Sequence, residues 1–454
     1  MRYIIVGNGV AGTKAAETIR RRDREGQIVL LSDEPYPFYR RPALVEHLAG
    51  HVSLEGLSGR PKGFYKDMGV ELHLSNPVVG MNAQTQQVTL SDGQELHYDK
   101  LLLAVGLKRK QGVIPGDNLD GILTLYTLDD VGAFRDLPER ARQAVVVGES
   151  VFGIEMARAF LQKGFSVTYL LKGARFWPEV LSPDASLLVE ERLRSEGVKV
   201  RAGQRVTAFE GRDGKVRSVQ TASGEEITAQ VVGFAENYQV QVPWARDAGL
   251  HVESRLHVDE NLKTNLPEVY AAGDAVRLSD EVLPFGWLRA WHQGVAAAVN
   301  MTGRGAPYRR RTVSLSTRAF GLPIMVIGNA NPVGDKVRRK HGNYPMHGMH
   351  KELVLDDQQR VVGAVMVGDV GEASEVEALV RDQVSFHQVP QDLLRRLFDE
   401  RYWSPAGSEV LCPVCKFLMH LGEAELEQGR ITCPICGAEF ALNKTGDRFV
   451  IVME

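Results

Sequence analysis

The sequence predicts an α/β protein: two parallel-sheet nucleotide-binding folds in succession, an α+β domain after them, and a small metal-binding knuckle domain at the end. Three observations carry this. The chain opens on an apolar strand that runs into a glycine-rich turn and a helix; residues 144–153 open the same pattern again; and the only four cysteines form two Cys-Pro-x-Cys pairs near the C-terminus. At 454 residues the chain is too long for one compact core, so several domains are expected.

Composition narrows the functional classes. A net charge of −3 leaves no basic excess for nucleic acid or anionic lipid, so neither is expected as a partner. The 45 glycines suit a fold with many tight strand–helix turns. No stretch approaches the roughly 18 apolar residues of a membrane span. Met1-Arg2 leads straight into YIIVG without the charged and apolar segments of an export signal, so the expected location is cytoplasmic.

Residues 3–12 read YIIVGNGVAG, followed by the helical pattern TKAAETIRRR. In this G-x-G-x-x-G spacing Gly7 permits the tight turn, Gly9 lets backbone approach a pyrophosphate, and Gly12 lets helix and strand pack closely. The phosphates would sit on the helix N-terminus, where unpaired N–H groups and the dipole favour negative charge. A second strand, QIVLLSDE, ends in acids, and Asp33 or Glu34 is the expected ribose ligand. Together these are the elements of a Rossmann-like fold.

Two further segments point to the dinucleotide. Residues 98–106 read YDKLLLAVG and residues 264–276 read TNLPEVYAAGDAV. They resemble the YDxLLxATG and T-x-x-PxVYAxGD segments of the FAD/NAD(P)-dependent pyridine nucleotide oxidoreductases, flavoprotein reductases with two dinucleotide folds of the glutathione-reductase type. The resemblance implies FAD in the first fold, Asp274 after Gly273 as the ribityl ligand, and Ala104 to Gly106 as part of the adenine-side wall. Val105 stands where the family usually has threonine, which removes a hydroxyl but not the turn. The implied domains are an FAD-binding domain in two parts (1–110 and 236–308), an inserted NAD(P)-binding domain (111–235), a C-terminal interface domain (309–403) that often forms a homodimer contact, and the four-cysteine domain (404–454).

The second nucleotide fold, AVVVGESVFG followed by IEMARAFLQKG and FSVTYLLKG, departs from the pattern. Gly148 and Gly153 stand, but Ser150 replaces the middle glycine. The second strand ends in Leu171-Lys172 where an acid would accept from the ribose 2′-hydroxyl. Lys172 and Arg175 could instead meet a 2′-phosphate, so NADH, NADPH and no nucleotide at all stay open. Glu155 holds the family's G-x-E position, which implies a place near the nicotinamide and the flavin edge; its plainer role is to complement the helix dipole.

Residues 36–50, YPFYRRPALVEHLAG, contain no cysteine, which excludes a thiol or disulfide relay beside the flavin at that position. The stretch resembles the corresponding segment of rubredoxin and ferredoxin reductases and of the flavin module of assimilatory nitrite reductases. That resemblance implies an external metal-centre redox protein as partner. Arg41 takes the position of the family's flavin-contacting lysine, where a cation would stabilise an anionic reduced ring; alternatively Arg40 and Arg41 face the FAD pyrophosphate. In 286–308, Trp291 and His292 are candidates to approach the ring, although Trp287 and Trp291, four apart, read better as one apolar helix face.

His341, His347 and His350 lack supporting ligands at metal spacing and are expected on the surface. Cys412, Cys415, Cys433 and Cys436 are different. The C-x2-C, 17 residues, C-x2-C spacing is that of a four-thiolate site. Spacing favours zinc over iron, a rubredoxin-like centre is the rival, and a metal-free dithiol relay is the third reading. The expected function is an FAD-dependent NAD(P)H:acceptor oxidoreductase without an active-site disulfide. The alternatives are an FAD/NAD-binding subunit of a larger iron–sulfur or tungsten/molybdenum complex, and a flavin-bearing sensor or interaction subunit without turnover.

Overall fold

A computed structural model describes residues 1–137, 142–278, 286–303, 305–308, 314–331, 337–344, 348–399, 409–411, 418–421, 428–432, 438–445 and 448–452. It divides into two compact units, Met1–Gly321 and Leu322–Glu454.

The first unit holds two parallel five-stranded sheets. In the first, the strand Arg2–Val6 is central, flanked by Gln27–Leu31 and then Val70–His73 on one side and by Lys100–Leu103 and then Val269–Ala271 on the other. These strands are near-continuous apolar runs because both faces are covered. Tyr3, Ile5, Ile28, Leu30 and Leu102 point to the helices Val10–Arg22 and Trp287–Met301. Their neighbours Ile4, Val6, Val29, Leu31, Leu101 and Leu103 point to the opposite layer, with Val78, Val88, Leu90 and Leu96 of a small antiparallel sheet. The alternation is the two-residue period of a strand. Small residues let the two helices cross closely: a Cβ at Gly294 would lie 2.2 Å from the Ala11 carbonyl oxygen.

The second sheet runs Lys199–Arg201, Ser166–Leu170, Gln143–Val147, Val231–Phe234, Ile122–Leu123. All its strands come from between Lys100–Leu103 and Val269–Ala271, which are neighbours in the first sheet. The chain therefore leaves the first sheet, completes the second, and returns.

The second unit contains the antiparallel strands Leu322–Gly328, Val361–Val367, Met349–Leu355 and Arg338–Tyr344 in that spatial order, covered by the helices Ala373–Arg381 and Gln391–Phe398. Met349–Leu355 is buried along its whole length, charged residues included. Lys351 Nζ lies 2.5 Å from Asp369 Oδ2 and 2.8 Å from Glu372 Oε2. Glu352 pairs with Arg339 and lies 3.2 Å from His350 Nε2. This corrects the surface expectation for His350, which is fully buried because its strand is paired on both sides. His341, on the neighbouring strand, is exposed and stacks on it with ring centroids 6.2 Å apart. His347 lies outside the described residues.

All four cysteines also lie outside the described residues, but the strands that bracket them do not. Glu409–Leu411 pairs with Leu418–His420, closing at Leu411–Leu418; Arg430–Thr432 pairs with Glu439–Thr445, closing at Thr432–Glu439. Each connection has six residues (412–417 and 433–438), with the cysteines first and fourth in both. Val410, Met419, Leu421, Ile431 and Phe440 form a small core shared by the two hairpins. Among the described residues no helix is long and apolar enough to cross a membrane.

Candidate active site

A cleft of about 630 Å³ opens where the first sheet's strand ends meet the helix Val151–Gln162 of the second fold. Its floor is the first glycine turn. Gly7 has φ +114°, and a Cβ there would lie 2.2 Å from the Ala104 carbonyl oxygen; one at Gly12 would lie 1.9 Å from the Gly7 carbonyl oxygen. Gly9 is the opposite case: its Cβ would meet nothing within 4 Å, because the position faces the cleft. The helix that begins there has no acid in its first turn and Arg20, Arg21 and Arg22 in its last, which leaves its positive end free for an anion. Asn8, a variable position of the glycine pattern, also lines the cleft. Its Oδ1 accepts from Tyr65 Oη at 2.6 Å, while its Nδ2 is buried without a hydrogen-bond partner, a donor suited to a bound oxygen.

The predicted ribose acids separate. Asp33 pairs with Lys108. Glu34 accepts from Arg41 Nη2 at 2.5 Å and from Tyr39 Oη at 2.6 Å. Arg41 also donates to the Tyr126 carbonyl at 2.6 Å and lies over the rings of Tyr39 and Tyr126. On the sequence Arg41 and Glu34 have independent roles; the structure joins them in one clamp on the cleft wall.

Across the cleft, Asp274 Oδ1 accepts from the Gly286 N–H at 3.1 Å and lies 3.9 Å from Arg289 Nη1. Gly273, with φ +83°, donates to Gln293 Oε1 at 2.8 Å, and buried Arg289 donates to the Gly273 carbonyl. Arg289 and Gln293 thus hold the Gly-Asp turn, a role that two polar residues in a small-residue helix did not announce. Ala104 and Gly106 form part of the wall. Trp287 packs on Phe38 at 5.9 Å. Trp291 departs from the shared apolar face expected for the pair: it is 36 % exposed, with Lys14 Nζ 3.8 Å above its ring.

Glu155 lines the cleft from the second fold. Burial, reinforced by the charge of Glu46 and opposed by Arg158, pushes its carboxyl up to about 7. Arg158 Nε is 3.6 Å from Glu155 while its Nη2 pairs with Glu46, which also takes His51 Nδ1 at 2.8 Å. Glu46 is itself partly buried, but Arg158 and His51 hold its carboxyl below the usual range. One arginine thus serves two acids, and Glu155 has the longer contact.

The raised carboxyl ties stability to pH. Between the ordinary value of 4.5 and about 7, the folded chain holds a proton on Glu155 that the unfolded chain has released. Stability therefore falls as pH rises through that window, and the deficit is complete above it. Glu155→Gln should melt with wild type at pH 4.5 and above it at pH 8; parallel melting temperatures across this range would refute the assignment.

In the second fold, Gly148 has φ +146°, and a Cβ at Gly153 would lie 2.0 Å from Tyr169 Oη, which donates to the Ser150 carbonyl at 3.3 Å. Lys172 is exposed. Arg175 Nη2 donates to the carbonyls of Pro178 (3.1 Å) and Leu181 (3.4 Å). Among the described residues no group of three or more His, Cys, Asp or Glu side chains is placed to hold a metal.

A glycine turn at a helix N-terminus, a Gly-Asp turn facing it and a second nucleotide fold alongside define a class of protein: oxidoreductases that bind a flavin and a pyridine nucleotide. The profile of the pyridine nucleotide-disulphide oxidoreductase family matches residues 1–301. The rubredoxin-NAD(+) reductase of Ectopseudomonas oleovorans is 30 % identical over 275 residues, 60 % of this chain and 71 % of that protein. The ferredoxin–NAD(+) reductase component of the biphenyl dioxygenase system of Paraburkholderia xenovorans (strain LB400) is 30 % identical over 339 residues, 74 % of this chain and 83 % of that protein. The reductase in the covalent putidaredoxin reductase–putidaredoxin complex superposes with a TM-score of 0.77 at 25 % identity, covering 84 % of this chain and 93 % of that one. The chain belongs to the pyridine nucleotide-disulphide oxidoreductase family and is an FAD-dependent NAD(P)H oxidoreductase. All four of its cysteines lie beyond the matched residues.

Proposed function

We propose that this chain takes electrons from a reduced pyridine nucleotide and delivers them to a metal-centre redox protein of the rubredoxin or ferredoxin kind. The observation that carries the reading is the cleft itself: the glycine turn, Asp274 and Glu155 line one cavity in a segment without cysteine. FAD, when bound, supplies hydride acceptance and the change from electron pairs to single electrons. The residues fit it. Gly7, Gly9 and the Asn8 amide take the pyrophosphate, with Gly12 letting the helix pack closely beneath them, Asp33 and the Glu34–Arg41 clamp meet the adenosine ribose side beside Ala104 and Gly106, and Asp274 after Gly273 holds the polyol chain. Gly148, Ser150, Gly153 and Lys172 shape the nucleotide seat of the second fold. Glu155, held near neutrality by its surroundings, keeps or releases a proton at the cleft at physiological pH. The relatives with 30 % identity support the acceptor class, since their names join NAD(+) to rubredoxin and to ferredoxin. The test is NADH-dependent reduction of added rubredoxin and of a [2Fe–2S] ferredoxin; flavin-linked reduction of oxygen with neither acceptor reduced would overturn the reading.

The tail belongs to the same proposal. Cys412, Cys415, Cys433 and Cys436 hold one ion, on their spacing zinc in preference to iron, and the two matching hairpins that bracket the cysteine pairs support a shared four-thiolate site. Two small hairpins have little core, so the metal supplies folding energy. Metal analysis should return about one zinc per chain, and chelation should loosen the hairpins while the flavin remains. A metal-free tail with four freely alkylated thiols would contradict it.

A further inference from the structure

The second nucleotide fold has no acid where one is expected, since Ser166–Leu170 runs on into Leu171, Lys172 and Gly173. The structure brings one there from another segment. Glu149, between Gly148 and Ser150 in the glycine turn, reaches over so that Oε1 accepts the backbone N–H of Gly173. A Cβ at Gly173 would lie 3.0 Å from that oxygen, so the glycine leaves room for the carboxylate. The turn is held from beneath by Tyr169, whose ring occupies the space that a side chain at Gly153 would take. Of the cations that could meet a 2′-phosphate, Arg175 Nη2 donates to its own loop's carbonyls, and Lys172 is exposed with the Glu236 carboxylate in its field.

In a fold of this kind the adenosine ribose lies over the end of the second strand, and a carboxylate there accepts from its 2′-hydroxyl. The chemistry needs the carboxylate at that point and is indifferent to which segment supplies it. Glu149 has one oxygen fixed on Gly173 and the other left to accept. We propose that Glu149 sets the nucleotide preference of this chain: it accepts the ribose 2′-hydroxyl in place of the absent strand-end acid and repels a 2′-phosphate, so that NADH is the donor. This rests on the reading that the second fold binds a pyridine nucleotide.

The test is calorimetric titration of the flavin-loaded protein with ADP-ribose and with 2′-phospho-ADP-ribose, which carry the discriminating ribose without redox chemistry. Wild type should bind ADP-ribose at least about tenfold more tightly, the scale of one hydrogen bond to a charged group. Glu149→Gln retains an oxygen for the Gly173 N–H, and it should bring the two affinities to within roughly threefold by weakening the first ligand and strengthening the second. The KM ratio for NADPH over NADH should fall in parallel. An unaltered ratio in Glu149→Gln and in Glu149→Ala overturns the inference, as does an equal gain for both ligands, which would make Glu149 a general repellent of phosphate. If wild type binds neither ligand, the inference fails together with the nucleotide reading beneath it.

Discussion

Gly9→Leu is expected to leave the protein folded and to abolish flavin retention. A Cβ at residue 9 meets nothing within 4 Å, and the backbone there, at φ −78°, is open to any residue. Replacing glycine at a helix N-cap costs about a kcal/mol or less. The added branch extends into the cleft, where the pyrophosphate must come within contact of backbone. Flavin content after purification should fall from near stoichiometric to below roughly a tenth, with the apo melting temperature almost unchanged. Gly12→Ala is the counterpart. Its Cβ would lie 1.9 Å from the Gly7 carbonyl oxygen, so helix and strand must separate and stability and flavin should be lost together. Equal loss of fold in both variants would mean that Gly9 serves the turn rather than the ligand.

The second large effect lies in the other unit. Lys351 is fully buried between Asp369 and Glu372. Lys351→Met keeps much of the side-chain volume but removes the buried ammonium between the two carboxylates, leaving Arg396, 4.0 Å from Glu372, as the more distant cation. Breaking a buried pair from one side typically costs about 3–5 kcal/mol. The chain has two units, so the readout is amide exchange along Met349–Leu355, whose protection should fall by about two orders of magnitude or more. The combined variant Lys351→Met, Asp369→Asn, Glu372→Gln should recover most of that protection, because a neutral set avoids the uncompensated charge. A single variant that exchanges like wild type would show that the three groups do not depend on one another.

What could be read in the sequence was what short-range sterics dictate. Gly7 and Gly12 are glycines because neighbouring carbonyl oxygens leave no room for a Cβ, and such requirements leave a fixed local spacing. Asp274 came instead from the resemblance of its Gly-Asp segment to that of a known family. Partnerships between distant segments left no such trace. Arg158 meets Glu46 across 112 residues, so nothing near Glu155 in the chain revealed what perturbs it. His350 looked like a surface histidine because sequence does not show that its strand is paired on both edges. Arg289 and Gln293 carry no local sign of burial in the sequence and are buried ligands of the Gly273 turn. The sequence did not show that Arg175 donates to carbonyls of its own loop. Glu149, at a variable position of the glycine pattern, carried no signal in the sequence; its reach to Gly173 depends on where the next strand ends.

The most direct test is anaerobic addition of NADH to the purified protein, followed at the visible flavin bands alongside a count of free thiols. The account predicts one FAD per chain, bleached by one equivalent of NADH with the thiol count unchanged. A protein that neither carries nor takes up flavin, or whose reduction by NADH appears as newly titratable cysteines, would contradict it.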